Sequence, residues 1–236
     1  MNLATVAPRA LVLAAGRGER MRPLTDTTPK PLLQVRGKPL IEWHLEALAA
    51  AGVREVVVNT AWLEDQFPAA LGDGSRWGLT LHHSMEGRDH GGALETAGGI
   101  AKALPLLAPQ GNEPFWVVSG DVFLPGFPFD AADVAAFASS ALDAQLWLVP
   151  NAPHHPHGDF GISAAGLAVA DAPERYTWAS VGLFRPAMFS DIAPGTRLAL
   201  RPRLDAAIAA GRLGARLWTG PWTDVGTVER LDALNR

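Results

Sequence analysis

The sequence predicts an α/β protein: one doubly wound, mainly parallel mixed sheet with helices on both faces and a substrate-binding subregion in its second half. Three observations carry this. Short apolar, β-branched runs alternate with segments of helical periodicity through the first half, the pattern of strands joined by crossover helices. Two of those runs, Ala10–Ala14 and Phe115–Ser119, lead straight into glycine turns at Gly16 and Gly120. The chain's 236 residues are 48% hydrophobic, enough for one substantial core and no more.

The elements follow in order. Ala10–Ala14 reads as a buried strand feeding a glycine loop, then a polar, proline-rich stretch runs to Pro39. Leu40, Ile41, Leu45, Leu48 and Ala49 recur at helical spacing, and Gly52 stops that helix. Glu55–Asn59 reads as a strand, Trp62–Leu71 as a helix, Leu79–His83 as a strand, and Leu94–Leu104 as a helix despite two glycines. Phe115–Ser119 is a buried strand ending in Gly120-Asp121. Beyond it, Leu146–Val149, Phe160–Ser163, Thr177–Phe184 and Gly214–Trp218 read as strands, Leu204–Ala210 as a helix, and Thr227 as the cap of a final helix. No repeat or linker divides the chain. It is expected to form one domain over residues 1–236, in two halves, to about 125 and over about 126–236.

Composition narrows the function. A net charge of −4 with no basic stripe argues against nucleic-acid binding. The absence of cysteine excludes disulfides, thiolate nucleophiles and Cys-ligated metals, leaving oxygen or imidazole ligands for any ion. Met1–Ala15 is broken by Pro8 and Arg9, so neither a signal peptide nor a membrane anchor is expected, and the compartment is expected to be the cytoplasm. Only Lys30, Lys38 and Lys102 are lysines, which makes each worth explaining.

The segment Leu13–Pro31, LAAGRGERMRPLTDTTPKP, carries the chemistry. Gly16 and Gly18 allow a tight turn whose bare backbone offers N–H groups to an anion. Arg20, Arg22 and Lys30 follow closely, and Lys30 sits between two prolines that hold its backbone extended. A cation on a stiffened loop beside exposed amides suits a triphosphate. In open α/β sheets ligands bind beyond the carboxyl ends of the strands, where Gly16 and Asp121 both fall. The redox dinucleotide fingerprint is excluded, because G-R-G-E-R-M lacks the G-x-G-x-x-G spacing and a proline-rich stretch follows it.

From Leu13 to Leu32 the chain resembles the LAAGxGxRMxPLTxxxPKPL signature of the sugar nucleotidyltransferases, the sugar 1-phosphate pyrophosphorylases. The resemblance implies a Rossmann-like nucleotidyltransferase fold and places the nucleotide on Leu13, Ala14, Ala15, Gly16 and Gly18. Arg20 and Lys30 would neutralise the β- and γ-phosphates and the departing pyrophosphate. Asp121, in Ser-Gly-Asp, and Asp224, in Trp-Thr-Asp-Val-Gly, match the family's two magnesium-binding aspartates. Ser119 stands where the family often has Asn, as a candidate substrate contact. The stretch Leu94–Gly99, LETAGG, is similar to the short N-acetylmuramate 1-phosphate uridylyltransferase branch, where it helps hold the nucleoside. Gly98 is accordingly a nucleotide-binding candidate, with close helix packing as the alternative, and Glu86 a candidate acceptor for uracil N3–H.

On the sugar side the expectations are thinner. Asp159, in Gly-Asp-Phe, resembles a carboxylate that binds sugar hydroxyls. Many members of the family place a second lysine on the sugar phosphate; none follows Lys102, so the resemblance implies an arginine in its place, Arg197 first and Arg175 second. His154, His155 and His157 could hold zinc or form a flexible loop, and Trp218 and Trp222 are core or pocket wall. The ten residues after Gly226 leave no room for the appended domains of many relatives. The expected reaction joins UTP to a sugar 1-phosphate with Mg2+, N-acetylmuramate α-1-phosphate fitting cell-wall sugar recycling. Other bases (GTP, dTTP, CTP) and sugars (mannose, glucose, N-acetylglucosamine), and a catalytically silent nucleotide-sugar sensor, remain open, as does the oligomeric state.

Overall fold

A computed structural model describes residues 7–236; the reading of the first six residues as neither leader nor anchor lies outside them. Its strands are β1 Arg9–Leu13, β2 Glu55–Thr60, β3 Thr80–Met85, β4 Phe115–Ser119, β5 Ala144–Val149, β6 Thr177–Phe184 and β7 Leu213–Leu217. They form one seven-stranded sheet in the order β7-β5-β6-β4-β1-β2-β3. Every neighbouring pair is parallel except the two made by β6, which runs antiparallel to both β4 and β5. The predicted fold class is the observed one: mixed, mainly parallel and continuous across both halves of the chain.

The unbroken hydrophobicity of the inner strands follows from burial on both faces. Val12, Val58 and Val118 face one core with Ile41, Leu45 and Leu48 of helix α1 (Leu40–Ala50). Leu11, Val57 and Val117 face the other, with Ile100, Ala103 and Leu107 of helix α4 (Glu95–Leu107) and Leu204 of α6 (Arg201–Ala209). Strand alternation alone sends adjacent residues to opposite layers. A third cluster, Met21, Leu33, Val35, Phe123, Val225 and Leu231, pins the tail of the glycine loop beneath helix α7 (Val228–Leu234). Thr227 caps α7 as predicted, its hydroxyl accepting from the Arg230 N–H at 3.4 Å.

Several boundaries depart from the sequence reading. Helix α2 covers only Gln66–Leu71, because Leu63 sits at φ 49°, outside the helical region, and the Trp62 indole donates to Thr25 O at 2.8 Å. The Phe160–Ser163 strand shrinks to Gly161–Ile162, paired with Ala168–Val169 outside the main sheet. Unanticipated are α3 (Glu86–His90) and α5 (Ala131–Ala138), the latter opened by Asp130, which accepts from the Ala132 N–H at 2.8 Å. Among the described residues no helix is long and apolar enough to cross a membrane.

Candidate active site

The carboxyl ends of β1 and β4 lie side by side, Leu13 opposite Ser119, so the loops leaving them share one cleft. It measures about 1010 Å³, the upper end of the range for small-molecule sites and room for two substrates together. Leu13, Ala14, Ala15, Gly16 and Gly18 line it along one wall, with Lys30, Ser119 and Asp121 on the floor and Arg197 at the lip.

The loop's shape has local causes. Gly18 adopts φ 64°, and a Cβ there would come within 2.9 Å of Thr25 Cγ2, whose hydroxyl donates to Gly18 O at 2.8 Å. Lys30 departs from the extended expectation. Pro29 takes the extended conformation, and Lys30 opens a single 3-10 turn closed by the Leu33 N–H on Lys30 O at 3.0 Å. That turn buries Lys30 and aims Nζ at Asp121 Oδ2, 2.8 Å away. Ser119 Oγ donates to Asp121 Oδ1 at 2.8 Å, so its proton is already engaged and a donor contact to substrate is not available from it. Burial pushes the Asp121 carboxyl upward, but the Lys30 charge and the hydrogen bonds from Lys30 and Ser119 outweigh it and hold the group below the ordinary carboxylate range. Its side chain stays 41% exposed to the cleft. Beneath it, His44 donates Nε2–H to Val122 O at 2.8 Å; burial lowers its pKa to about 4 and keeps the ring neutral.

Asp224 reaches the same place along a two-residue antiparallel ribbon, pairing with Val122 while the Val225 N–H bonds Asp121 O at 2.9 Å. Its Oδ2 lies 3.1 Å from an Arg230 nitrogen. Its buried Oδ1 has His154 Nε2 at 2.8 Å but receives no aligned hydrogen bond. The bare Cα of Gly226 makes room for the Arg230 guanidinium: a Cβ there would strike Arg230 Nη2 and lie 3.0 Å from Asp224 Oδ2 and 3.3 Å from an Arg20 nitrogen. Arg20 itself is exposed. Backbone pairing thus brings Asp121 and Asp224, 103 residues apart in the sequence, to neighbouring positions, Asp121 lining the cleft and Asp224 and Arg20 lying outside its lining.

Besides Ser119, four candidates are corrected. Glu86 is fully buried and does not line the cleft, its Oε1 taking the Asn59 amide at 2.7 Å and its Oε2 the Leu94 N–H at 2.8 Å, so a base in the cleft does not reach it. Burial raises its pKa despite those donors. Gly98 packs rather than binds: a Cβ would strike Thr196 O and Leu94 Cβ, and its N–H, like that of Ala97, goes to Leu198 O. Arg175 turns from the cleft to donate to Gly158 O (3.2 Å) and Asp159 O (2.8 Å), beside a separate hollow that also contains His157. Asp159 is engaged by the Trp178 N–H at 2.8 Å and by His155 at 3.2 Å. Arg197 does face the cleft, paired at 3.0 Å with Glu95. The three histidines go to three places, and among the described residues no three acidic or imidazole groups converge as a zinc site would require. Trp218 packs on Phe127 in the core, while Trp222 donates to Ala179 O at 3.0 Å.

The sequence reading missed Asn59. Its Oδ1 accepts the Ala14 N–H at 3.0 Å and its amide bonds Glu86, tying the glycine-loop wall to the wall after α3. An asparagine closing a run of three valines was the available signal. It also missed His44, a polar group on an apolar helix face, and Arg17, stacked 4.3 Å from the centre of the Trp62 ring on the cleft wall.

A family model described as nucleotidyl transferase matches residues 9–236. The chain is 50% identical over 226 residues to an N-acetylmuramate alpha-1-phosphate uridylyltransferase of Neisseria meningitidis, covering 94% of this chain and 95% of that relative. A protein of the same description from Caulobacter vibrioides is 36% identical over 230 residues, 93% of each chain. A crystal structure from Bacillus anthracis, assigned as a glucose-1-phosphate thymidylyltransferase and holding a sucrose, superposes with a TM-score of 0.81 over 97% of this chain and 94% of that one, at 22% identity.

Proposed function

Because the chain belongs to the nucleotidyl transferase family, whose members here are sugar 1-phosphate nucleotidyltransferases, we propose that it joins UTP to N-acetylmuramate α-1-phosphate, forming the UDP-sugar and pyrophosphate. The observation that carries the chemistry is the convergence of Lys30, Asp121 and the glycine loop on one cleft floor. The two uridylyltransferase relatives support the choice of substrates; with those substrates the protein would serve cell-wall sugar recycling in the cytoplasm.

In this reading a phosphate oxygen of the sugar 1-phosphate attacks the α-phosphorus, a new P–O bond forms, and the bond to the β-phosphate breaks in line. The nucleophile is already an anion, so no general base is required. Backbone amides of the glycine loop hold the triphosphate, and Lys30 and Arg20 offset charge on the leaving pyrophosphate. The donor set fits a hard divalent cation: two carboxylates, Asp121 in the turn just before Val122 and Asp224 paired with Val122, the latter with a buried oxygen that lacks an aligned donor. Asp121 and Asp224 would hold Mg2+, its shell completed by phosphate oxygens and water. Bound there, it would supply charge neutralisation between the reacting phosphates. Ser119 and His44 keep Asp121 and its strand in place. Residues to about 125 would serve the nucleotide and those beyond it the sugar phosphate, with Arg197 as its cation.

The test is pyrophosphate release with magnesium across four nucleoside triphosphates and several sugar 1-phosphates. Release confined to UTP and N-acetylmuramate α-1-phosphate is the expected result. Release with another pair would overturn the substrates and keep the reaction, and no release from protein that binds nucleotide would overturn the reaction.

A further inference from the structure

Among the described residues, β6 is the only strand that enters the main sheet from the cleft end, and it does so through a distortion. Against β5, Trp178 pairs with Leu148 and Val181 with Trp147, so three steps on one strand match one on the other. The two extra residues are Ala179 and Ser180, and Ser180 stands at φ 60°. A left-handed backbone carries a cost for any residue but glycine, and non-glycine residues keep it where the surroundings over-determine it, often at functional sites. The surroundings do so here. Asp159 Oδ2 accepts the Trp178 N–H at 2.8 Å. The Trp178 indole donates to Val181 O at 3.0 Å, closing the bulge on itself, and the Trp222 indole donates to Ala179 O at 3.0 Å. Three side chains, two of them distant in sequence, thus hold a strained turn of two residues.

Its position gives the strain a purpose. Val181 lies opposite Val118 of β4, so the next residue outward, Ser180, falls beside Ser119, the partner of Asp121. Ala179 is fully buried while Ser180 is half-buried, and among the described residues the Ser180 hydroxyl makes no hydrogen bond. With the Ser119 proton engaged by Asp121, Ser180, next to the cleft lining at Ser119 but not itself part of it, carries a hydroxyl left without a partner.

Resting on the sugar 1-phosphate reading above, we propose that Ser180 donates its hydroxyl to the phosphate of the incoming sugar 1-phosphate, and that Asp159, Trp178 and Trp222 are positioning residues that hold the bulge presenting it. Asp159 thereby acts on the sugar side through the backbone of Trp178 rather than by binding sugar hydroxyls.

The experiment measures KM for sugar 1-phosphate and for nucleoside triphosphate, kcat and the thermal midpoint in Ser180→Ala, Ser180→Gly and Trp222→Phe. Loss of a hydrogen bond to a charged group should raise KM for the sugar 1-phosphate about tenfold or more in both Ser180 variants. KM for the triphosphate should stay within about twofold, a split that general loosening of the fold would not produce. Ser180→Gly should also melt above the wild type, because the strain is relieved, while Ser180→Ala should not. Trp222→Phe should raise the sugar-phosphate KM in the same direction. Unchanged sugar-phosphate KM in both Ser180 variants, or an equal rise for both substrates, overturns the assignment. A wild-type protein that neither turns over nor calorimetrically binds any sugar 1-phosphate overturns the parent reading instead.

Discussion

One stretch of chain, from Leu13 to Lys30, lines the cleft with its glycine loop and its lysine. The polar groups expected to meet the sugar are instead engaged with the protein: Asp159 with a strand N–H, Arg175 with loop carbonyls away from the cleft, Ser119 with Asp121. The nucleotide side is organised locally and the sugar side by contacts between distant segments. A contiguous motif needs only its own turns to form, whereas a site held by a bulge and two indoles exists only once the sheet is complete.

The largest effect expected from this contrast lies at Lys30. Its substitution by Ala should lower turnover by about a hundredfold or more, as loss of one positioned charge donor does, without loss of the fold by circular dichroism. A fall of only a few-fold would mean the loop side is not the phosphate side.

Next comes a pH effect from His44. Its folded pKa of about 4 lies below the unfolded value of 6.5, so between them the unfolded chain binds a proton that the folded chain refuses. Stability from this group is therefore intact above pH 6.5 and lost as pH falls toward 4, by on the order of 3 kcal/mol in full. Denaturant unfolding of His44→Gln, which keeps a donor for Val122 O, should show a flatter decline over that window.

Asn59→Ala should cost about 1–3 kcal/mol, because it leaves the buried Glu86 short of a donor, while the Ala14 N–H keeps only the Asn59 backbone carbonyl at 3.1 Å. It should also raise KM for UTP more than for the sugar 1-phosphate, since it loosens only the nucleotide wall. The smallest stability effect belongs to Arg197→Ala. Its ion pair with Glu95 is exposed, 72% and 48% for the two side chains, and such pairs contribute about 1 kcal/mol or less. A clear rise in sugar 1-phosphate KM with an unchanged melting temperature is expected there.

What the sequence made legible follows the same division. The alternation of β-branched runs and amphipathic helices was enough for the sheet, because burial on both faces leaves its mark on every inner strand. Lys30, Asp121 and Asp224 were legible as family motif positions. Glu86 was misread because its burial depends on Asn59 and the Leu94 N–H, partners that only the fold brings to it. Gly98 was misread because the segment it packs against, Thr196–Leu198, lies about a hundred residues away. Ser180 gave no signal at all: a serine within an apolar strand does not announce a bulge. The helix Ala131–Ala138 escaped because its alanines carry little amphipathic pattern.

The most direct test of the central claim is pyrophosphate release by Asp121→Asn, measured beside the wild type with UTP, N-acetylmuramate α-1-phosphate and saturating magnesium, with UTP binding followed by calorimetry. The carboxylate at the junction of Lys30, Ser119 and the Asp224 ribbon should be indispensable to transfer, so the rate should fall by about two to three orders of magnitude while the protein still folds and binds UTP. Release within a few-fold of the wild type would contradict the placement of the reaction on this floor.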